Sequence, residues 1–165
     1  MIAYFTIFWW HQVPLAWIFN TGNTHWTNDA PSFEGWKCGG PGGCQVLDGP
    51  TQTQIYWEAQ AAWYVTLVMC QFWHIFMCKT RQVSIFRHGL FRNPVTLFGV
   101  LISIGTILVI TYVPFLQPIF TTASLNGVGW LPQIGFLALG LLYTEASKRR
   151  VRRDPESWWA RNMQW

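Results

Sequence analysis

The chain has 165 residues, of which 51% are hydrophobic and only 11% are charged. Domains that fold in water carry roughly 25% charged residues, so this composition argues against an ordinary water-soluble domain. The 12 tryptophans point the same way, because many flank apolar stretches, where an amphipathic indole suits the headgroup layer of a membrane. We therefore predict an integral membrane protein.

Four apolar stretches occupy most of the sequence. A membrane-spanning helix needs about 20 mostly apolar residues to cross a hydrocarbon core of about 30 Å. Three stretches have that length, and the shorter fourth one ends in a basic cluster. The sequence predicts one all-α, polytopic membrane domain over 1–165. Its four transmembrane helices are expected at about 1–19, 57–77, 95–119 and 129–146, with a basic tail over 147–165.

Basic residues are concentrated in two of the segments that these helices would leave outside the membrane. The tail is basic between Lys148 and Arg153, and the loop between the second and third stretches has no acid. That loop carries Lys79, Arg81, Arg87 and Arg92. The alternation of basic and non-basic loops follows the positive-inside rule and places the middle loop and the C-terminus in the cytoplasm. The net charge of +4 then reflects topology and lipid contact, and we expect no nucleic-acid partner.

The first stretch differs from a cleaved signal peptide. It has no basic leader and no small-residue cleavage pattern, and it contains His11, Gln12 and Pro14. Pro14 predicts a kink, at which His11 and Gln12 either repair the backbone hydrogen bonding or form a polar spot on a transport path. We favour the repair. Apolar residues begin at Met1 without a polar leader, so we expect that the sequence starts inside a longer protein.

The segment Asn20–Ile55 is rich in Gly, Asn, Thr and Pro, and we expect it to be an irregular outward loop. Cys38 and Cys44 enclose a glycine-rich spacer that bends easily, so on an oxidising side of the membrane they could form a disulfide. A zinc site would need two more ligands, and the loop offers only His25. We favour the disulfide and expect no metal.

The second stretch is the most polar of the four. Helical spacing places four polar side chains near one face, which should point into protein because polar groups are costly in lipid. They are Gln60, Gln71, His74 and Cys78. Glu58 falls on another face, where it could stabilise the helix N-terminus or bind an ion, and we favour the first role.

The last two stretches contain small residues at helical spacing and no internal acid or base. Small residues allow helix backbones to approach closely, so these stretches predict packing faces. They include Gly99, Ser103 and Thr106 in the third stretch, and Gly135 and Gly140 in the fourth.

Several catalytic motifs are absent from the sequence. It contains no Gly-x-x-x-x-Gly-Lys, no His-Glu-x-x-His and no Asp-Lys-Thr-Gly segment. No segment between apolar stretches is long enough to form a catalytic domain of about 100 residues. We expect no enzymatic activity and no bound cofactor for this chain by itself.

Two segments carry a specific resemblance. The first runs Cys-Gln-Phe-Trp-His-Ile-Phe-Met-Cys-Lys-Thr-Arg-Gln-Val-Ser over Cys70–Ser84 and continues into Gly89–Asn93. The second is Tyr143-Thr-Glu145, followed by Lys148–Arg153. Both closely resemble type II P-type cation-transporting ATPases of the sodium/potassium and proton/potassium pump class, at the end of the eighth membrane helix and at the tenth.

Weaker similarities extend the resemblance over nearly the whole chain. Phe5–Phe8 is similar to the seventh helix of those pumps, while Leu97–Gly99 and Tyr112–Pro114 resemble the two ends of the ninth. The resemblance implies the last four of ten membrane helices, which scaffold the ion pathway. It also implies that the parent pump uses ATP and Mg, that this part associates with the lipid bilayer and the remaining pump helices, and that monovalent cations are transported, most naturally at the plasma membrane.

Some family positions differ here. The aspartate ligand of the eighth helix in sodium/potassium pumps corresponds to His74, three residues after Gln71, so Gln71 and His74 become our cation-path candidates. A histidine there could hold a proton or only hydrogen-bond a neighbouring helix. The paired glutamates of the ninth helix correspond to Ile102 and Ser103, and the accessory-subunit segment Ser-Tyr-Gly-Gln is absent.

Two rivals to the pump segment remain. One is a stand-alone four-helix membrane protein that assembles with a pump and regulates it. The other is a small independent transporter, which would generally need a central membrane carboxylate, whereas Glu58 is peripheral in the predicted helix.

Overall fold

The computed structural model describes residues 1–14, 17–18, 25–35, 46–79, 94–154 and 156–158, with side chains up to residue 75 in the segment 46–79. The chain divides into two compact units. The first unit comprises Met1–Thr66 and Ile107–Pro132, and the second comprises Leu67–Thr106 and Gln133–Trp165. Cys38, Cys44 and most of the basic middle loop lie outside the described residues.

The described residues are predominantly helical, as predicted. The helices are α1 (Ile2–Trp10), α2 (Gly49–Lys79), α3 (Pro94–Tyr112), α4 (Gln117–Phe120) and α5 (Gly127–Arg153). One short antiparallel ladder joins β1 (Phe33–Glu34) to β2 (Val46–Leu47), with Phe33 opposite Leu47.

Two of these helices, α3 and α5, are long and apolar enough to cross a membrane, by length and composition. Only 11% and 17% of their apolar windows are buried within the chain, so large hydrophobic side chains face outward. Such exposed apolar faces suit contact with lipid or with other helices. The other two predicted spans differ: the first stretch forms a helix of nine residues, and α2, although 31 residues long, carries the polar side chains noted above.

The first helix ends at Trp10, before the proline at which a kink was expected. Gln12 adopts a left-handed conformation with φ 61°. Its amide donates to Trp9 O at 3.2 Å, and the amide of Val13 donates to Phe8 O at 2.9 Å. These two bonds form a Schellman motif, which closes a helix by satisfying its last carbonyl groups. A terminated helix, and not a kinked one, therefore occupies this part of the first stretch.

The second helix begins at Gly49 and not at Trp57, because the end of the preceding loop is bonded into it. The carbonyl of Asp48 accepts the Gln52 amide at 2.8 Å. The buried Gln52 carboxamide donates to Pro31 O and Leu47 O, each at 2.8 Å, and accepts from the Trp26 amide at 3.3 Å. One glutamine thus satisfies three backbone groups of the loop, and the loop is anchored to the first turn of α2.

An aromatic cluster lies beside this anchor in the first unit. Phe8 of α1 meets Trp26 edge-on with ring centroids 4.8 Å apart, and Trp17 stacks on Phe33 at 5.4 Å. His25 meets the Trp17 ring edge-on at 4.4 Å. Offset and edge-to-face pairs of this kind add to the stabilisation from burial. The loop predicted to be irregular is therefore packed onto α1 and α2 where it is described.

The third helix ends at Tyr112, earlier than the predicted end at 119, because Pro114 lacks the amide hydrogen that the helix needs to continue. Side chains after the helix satisfy its final carbonyl groups: Thr122 Oγ1 donates to Ile110 O at 3.1 Å, and Gln117 Nε2 to Thr111 O at 2.9 Å. Such replacement partners are needed where a helix stops in an apolar environment, because an unpaired backbone carbonyl is costly there.

On the predicted small-residue faces, one glycine has another helix packed against it, whereas others have no neighbouring atom in the described structure. A Cβ at Gly140 would lie 2.8 Å from the Trp73 indole nitrogen, so α5 and α2 approach closely in the second unit. A Cβ at Gly99 or Gly135 would meet nothing within 4 Å. These two glycines leave room for a neighbour beyond the described part of the chain.

The fifth helix continues through the basic cluster to Arg153. Its last turn contains Arg150, Arg152 and Arg153. Positive side chains there stabilise the helix, because the C-terminal end of the helix dipole is negative. The cluster predicted as the start of a tail is thus helical as far as Arg153.

A Gly49→Ala substitution tests the junction of loop and α2. Its Cβ would clash with the Asn28 carbonyl oxygen, a contact that only a backbone shift can relieve. We expect a loss of about 1–3 kcal/mol in the free energy of unfolding, measured by tryptophan fluorescence of the detergent-solubilised chain. The matched control is Gly105→Ala in α3, where nothing lies within 4 Å. Alanine should there be neutral or stabilising by up to about 1 kcal/mol, and equal losses would contradict the close approach.

Candidate functional site

A buried carboxylate in the first unit joins three separate segments of the chain. Glu58 is only 5% exposed and lies in the third turn of α2, away from the helix N-terminus where the sequence placed it. A buried carboxylate is costly unless hydrogen-bonded, and this one has two partners. They come from the end of α1 and the beginning of α5.

The first partner is His11, the residue that follows the last turn of α1. Its Nε2 lies 2.9 Å from Glu58 Oε2, and the imidazole side chain is 20% exposed. The ring donates through the nitrogen that faces the carboxylate, which assigns the tautomer by its hydrogen bond. His11 had been expected to repair a kink; instead it bonds a residue 47 positions away.

The second partner is the backbone amide of Asn126, which donates to Glu58 Oε1 at 3.4 Å. Asn126 immediately precedes α5, and its carbonyl accepts the Gly129 amide at 2.9 Å in the first helical turn. Amide groups at a helix N-terminus lack partners within the helix and carry partial positive charge. Glu58 therefore stabilises the start of α5, a different helix from the one that contains it.

A tyrosine adds a second connection at the same end of α5. Tyr112, the last residue of α3, donates its hydroxyl hydrogen to Leu125 O at 3.1 Å and accepts from the Trp130 indole at 3.1 Å. Gly129 lies between these groups, and a Cβ there would come within 3.0 Å of Leu125 and 3.3 Å of Ile7. Glu58 and Tyr112 thus both hydrogen-bond the N-terminal turn of α5 or the residues just before it.

The predicted cation-path residues lie in the second unit. Gln71 and His74 are one turn apart on α2, so they share a face as predicted, and both side chains are exposed within this chain. Gln60, predicted on the same face, lies in the first unit and lines a cavity there. Among the described residues, no group of three or more His, Cys, Asp or Glu could hold a metal ion. Cys38 and Cys44 lie outside the described residues.

The sequence contained a partial signal for the Glu58 site. His11 and Glu58 are polar residues in two predicted membrane stretches that are consecutive along the chain. Consecutive elements are usually neighbours in space, so a base and an acid in such stretches are candidates to pair. Nothing local indicated the Asn126 amide, because any residue can supply a backbone donor.

A double-mutant cycle tests the His11–Glu58 contact. Glu58→Ala leaves the imidazole and the Asn126 amide without their acceptor, which should cost about 1–3 kcal/mol of unfolding free energy. Glu58→Gln keeps an oxygen acceptor and should cost less. The cycle with His11→Ala should give a coupling energy above about 0.5 kcal/mol, measured by thermal unfolding. Glu156→Ala, at an exposed acid, is the control and should be near neutral; additive His11 and Glu58 losses would contradict the pair.

Comparison with known proteins shows which family the chain is similar to. The profile of the family described as "Cation transporting ATPase, C-terminus" matches residues 1–150. The chain is 30% identical over 109 residues to potassium-transporting ATPase alpha chain 2 of Rattus norvegicus, covering 66% of this chain and 10% of the relative. It is 30% identical over 104 residues to sodium/potassium-transporting ATPase subunit alpha-4 of Homo sapiens, covering 63% and 10%.

A bacterial relative transports, by its name, a different ion. The calcium-transporting ATPase of Bacillus subtilis (strain 168) is 38% identical over 81 residues, which cover 49% of this chain and 9% of that protein. The chain therefore spans about a tenth of the length of the curated relatives it matches. The family profile covers most of the sequence, and its span ends within α5. On this basis the chain belongs to the C-terminal family of cation-transporting P-type ATPases and is homologous to the alpha chains of potassium- and sodium/potassium-transporting pumps.

Proposed function

We propose that the chain works as the last four membrane helices of a monovalent-cation pump of the sodium/potassium or proton/potassium class. The observation that carries this proposal is the family match over residues 1–150. Alpha-chain relatives and the Cys-Lys-Thr-Arg segment at Cys78–Arg81 support the monovalent class over the calcium class. ATP and Mg would be bound by upstream domains of the parent pump, and this chain would supply no catalytic group.

Within such a pump the chain would scaffold the transport helices in the lipid bilayer. Glu58 supports this role, because its two hydrogen bonds hold the end of α1, the body of α2 and the start of α5 together in the first unit. The open glycines and exposed apolar faces of α3 and α5 leave surface for the remaining pump helices. The basic end of α5 and the basic middle loop favour a cytoplasmic side for both. The plasma membrane is proposed only from the resemblance to the sodium/potassium and proton/potassium pump class.

Gln71 and His74 are the residues we propose for the cation path. Both lie on one face of α2 and are exposed within this chain, so neighbouring pump helices could bring further ligands to them. His74 would hold a proton where sodium/potassium pumps have an aspartate. Gln71 would contribute an amide oxygen, a ligand type that monovalent cations accept.

The coding sequence upstream of the Met1 codon tests the pump assignment directly. We expect an open reading frame in register with Met1 that contains an Asp-Lys-Thr-Gly segment, because the phosphorylated aspartate of this class lies before the last four helices. Sequencing the 5′ end of the transcript measures this. An in-frame stop codon before any such segment would instead favour the stand-alone membrane protein.

His74→Asp in the full-length protein tests the cation path. Restoring a carboxylate should change the sodium dependence of ATP-driven rubidium uptake, since a permanently available anion replaces a group that is neutral or positive. The matched control is Gln54→Asp in the first turns of α2, which is exposed and distant along the helix. Unchanged uptake and unchanged sodium dependence in His74→Asp would remove His74 from the path.

Cys38 and Cys44 are proposed to form a disulfide on the outward side. Maleimide labelling of the intact chain should then reach them only after reduction, as measured by peptide mass spectrometry. Cys70, a free and exposed thiol on α2, gives the comparison peptide, because its labelling should not depend on reduction. Equal labelling of Cys38 and Cys44 before and after reduction would show that the bridge is absent.

A further inference from the structure

The residues at the start of α5 include the only asparagine of the chain that is followed by glycine, Asn126 before Gly127. Both residues are exposed. The Asn126 carboxamide makes no hydrogen bond within the described part of the chain, and neither does the Gly127 amide nitrogen. That nitrogen lies at the first position of α5, where a helix leaves its amide groups without intrahelical partners. An electrophilic carboxamide and a nucleophilic nitrogen are therefore adjacent and exposed.

The space around Gly127 allows these two groups to meet. A Cβ at this residue would find nothing within 4 Å. Glycine also lacks the side chain that hinders attack by the amide nitrogen of other residues, and its backbone is conformationally free. Asn28 is exposed as well, but it is followed by Asp29, whose Cβ stands next to the corresponding nitrogen. Among the described asparagines, Asn126 is therefore the one at which a five-membered ring closes most readily.

The reaction open to these groups is spontaneous deamidation, with water as its co-reactant. The Gly127 nitrogen forms a bond to Asn126 Cγ, and the bond between Cγ and Nδ2 breaks. The Gly127 amide proton leaves with the side-chain nitrogen as ammonia, and a succinimide ring remains. Water then opens the ring, because its hydroxyl adds to one of the ring carbonyl carbons and its hydrogen returns to the Gly127 nitrogen. The product is aspartate or isoaspartate, and in isoaspartate the main chain runs through the former side chain.

The position of Asn126 gives this reaction a structural consequence. Its amide donates to the buried Glu58 carboxylate, and its carbonyl accepts the Gly129 amide in the first turn of α5. Isoaspartate converts that carbonyl into a free carboxylate and adds a methylene group to the main chain. A second anion then lies next to Glu58, and like charges repel each other at close range. No Lys or Arg lies among the described residues of the first unit to compensate it.

We propose that Asn126 is a deamidation site, and that deamidation releases the start of α5 from Glu58. The change is irreversible because ammonia is lost, so it accumulates with the age of each molecule. His11 keeps its hydrogen bond to the other Glu58 oxygen, so the modification acts on the contact with α5. The proposal does not depend on cation transport and requires only that water reaches the residues before α5.

Incubation of the full-length chain in detergent at neutral pH tests the modification. Samples taken over several days are digested with pepsin at acidic pH, where the reaction is slow, and the peptides are analysed by mass spectrometry. We expect the peptide with Asn126 to become one mass unit heavier and to contain isoaspartate, while the peptide with Asn28 stays unchanged. In water labelled with heavy oxygen, the product should carry the label, since water supplies the new oxygen atom.

Amide hydrogen exchange tests the release of α5. In the modified fraction, the Gly129 amide should exchange about fivefold faster than in fresh chain, as the loss of one net hydrogen bond implies. Gly127→Ala places a Cβ next to the attacking nitrogen, where there is room for it, and should slow deamidation about tenfold, which is about 1.4 kcal/mol of activation free energy. The matched control is Gly105→Ala, which also has open space around its Cβ and should leave the rate unchanged.

Two results would overturn the proposal. The first is an Asn126 peptide that is modified no faster than the Asn28 peptide. The second is a modified fraction in which the Gly129 amide exchanges at the same rate as in fresh chain. Both are measured on the unsubstituted chain, so a variant that fails to fold does not prevent a decision.

Discussion

The buried carboxylate of Glu58 is the interaction on which the first unit depends. A carboxylate that is 5% exposed must be compensated, and both of its oxygens are used: one by His11 after α1 and one by the Asn126 amide before α5. Because the carboxylate is costly to bury alone, any arrangement that separates these segments leaves it uncompensated. The need to compensate the carboxylate therefore holds the end of α1 and the start of α5 against α2.

Termination of helices in an apolar setting imposes the second constraint. At the end of α3, the backbone is completed by side chains that follow it in sequence, Thr122 and Gln117. At the end of α1, the backbone completes itself through the left-handed Gln12. The difference follows from the local sequence: the prolines at 114 and 118 remove amide donors where α3 would continue, so hydroxyl and carboxamide groups supply them. Both kinds of helix end give hydrogen-bond donors to carbonyl groups that would otherwise be unpaired, which matters where the surroundings are apolar.

The sequence predicted the elements that depend on composition and missed those that depend on distant partners. Runs of apolar residues were enough to predict α3 and α5, but the third helix was predicted to extend to 119, whereas α3 ends at Tyr112, before Pro114. The start of α2 was placed too late, because it depends on Gln52 bonding Pro31 and Leu47 in a loop that looked irregular. The end of α1 required a left-handed glutamine, and glutamine gives no signal for that conformation of the kind glycine gives.

The candidate site shows the same contrast between features that composition predicts and features that distant partners decide. The polar character of α2 was evident, and so was the face shared by Gln60, Gln71 and His74. The sequence did not predict the role of each position on α2. That role depends on which other elements pack against the position. Glu58 and Gln60 are two residues apart and therefore point to nearly opposite sides of α2. One meets the helix ends that define the first unit, and the other lines an apolar cavity. Farther along the helix, Gln71 and His74 are exposed within the chain. Polar side chains are costly in lipid, so a helix that is polar on several sides needs protein against each polar side wherever it meets hydrocarbon. The sequence alone gives that requirement for α2, and only the packed structure shows which of its polar positions meet it within this chain.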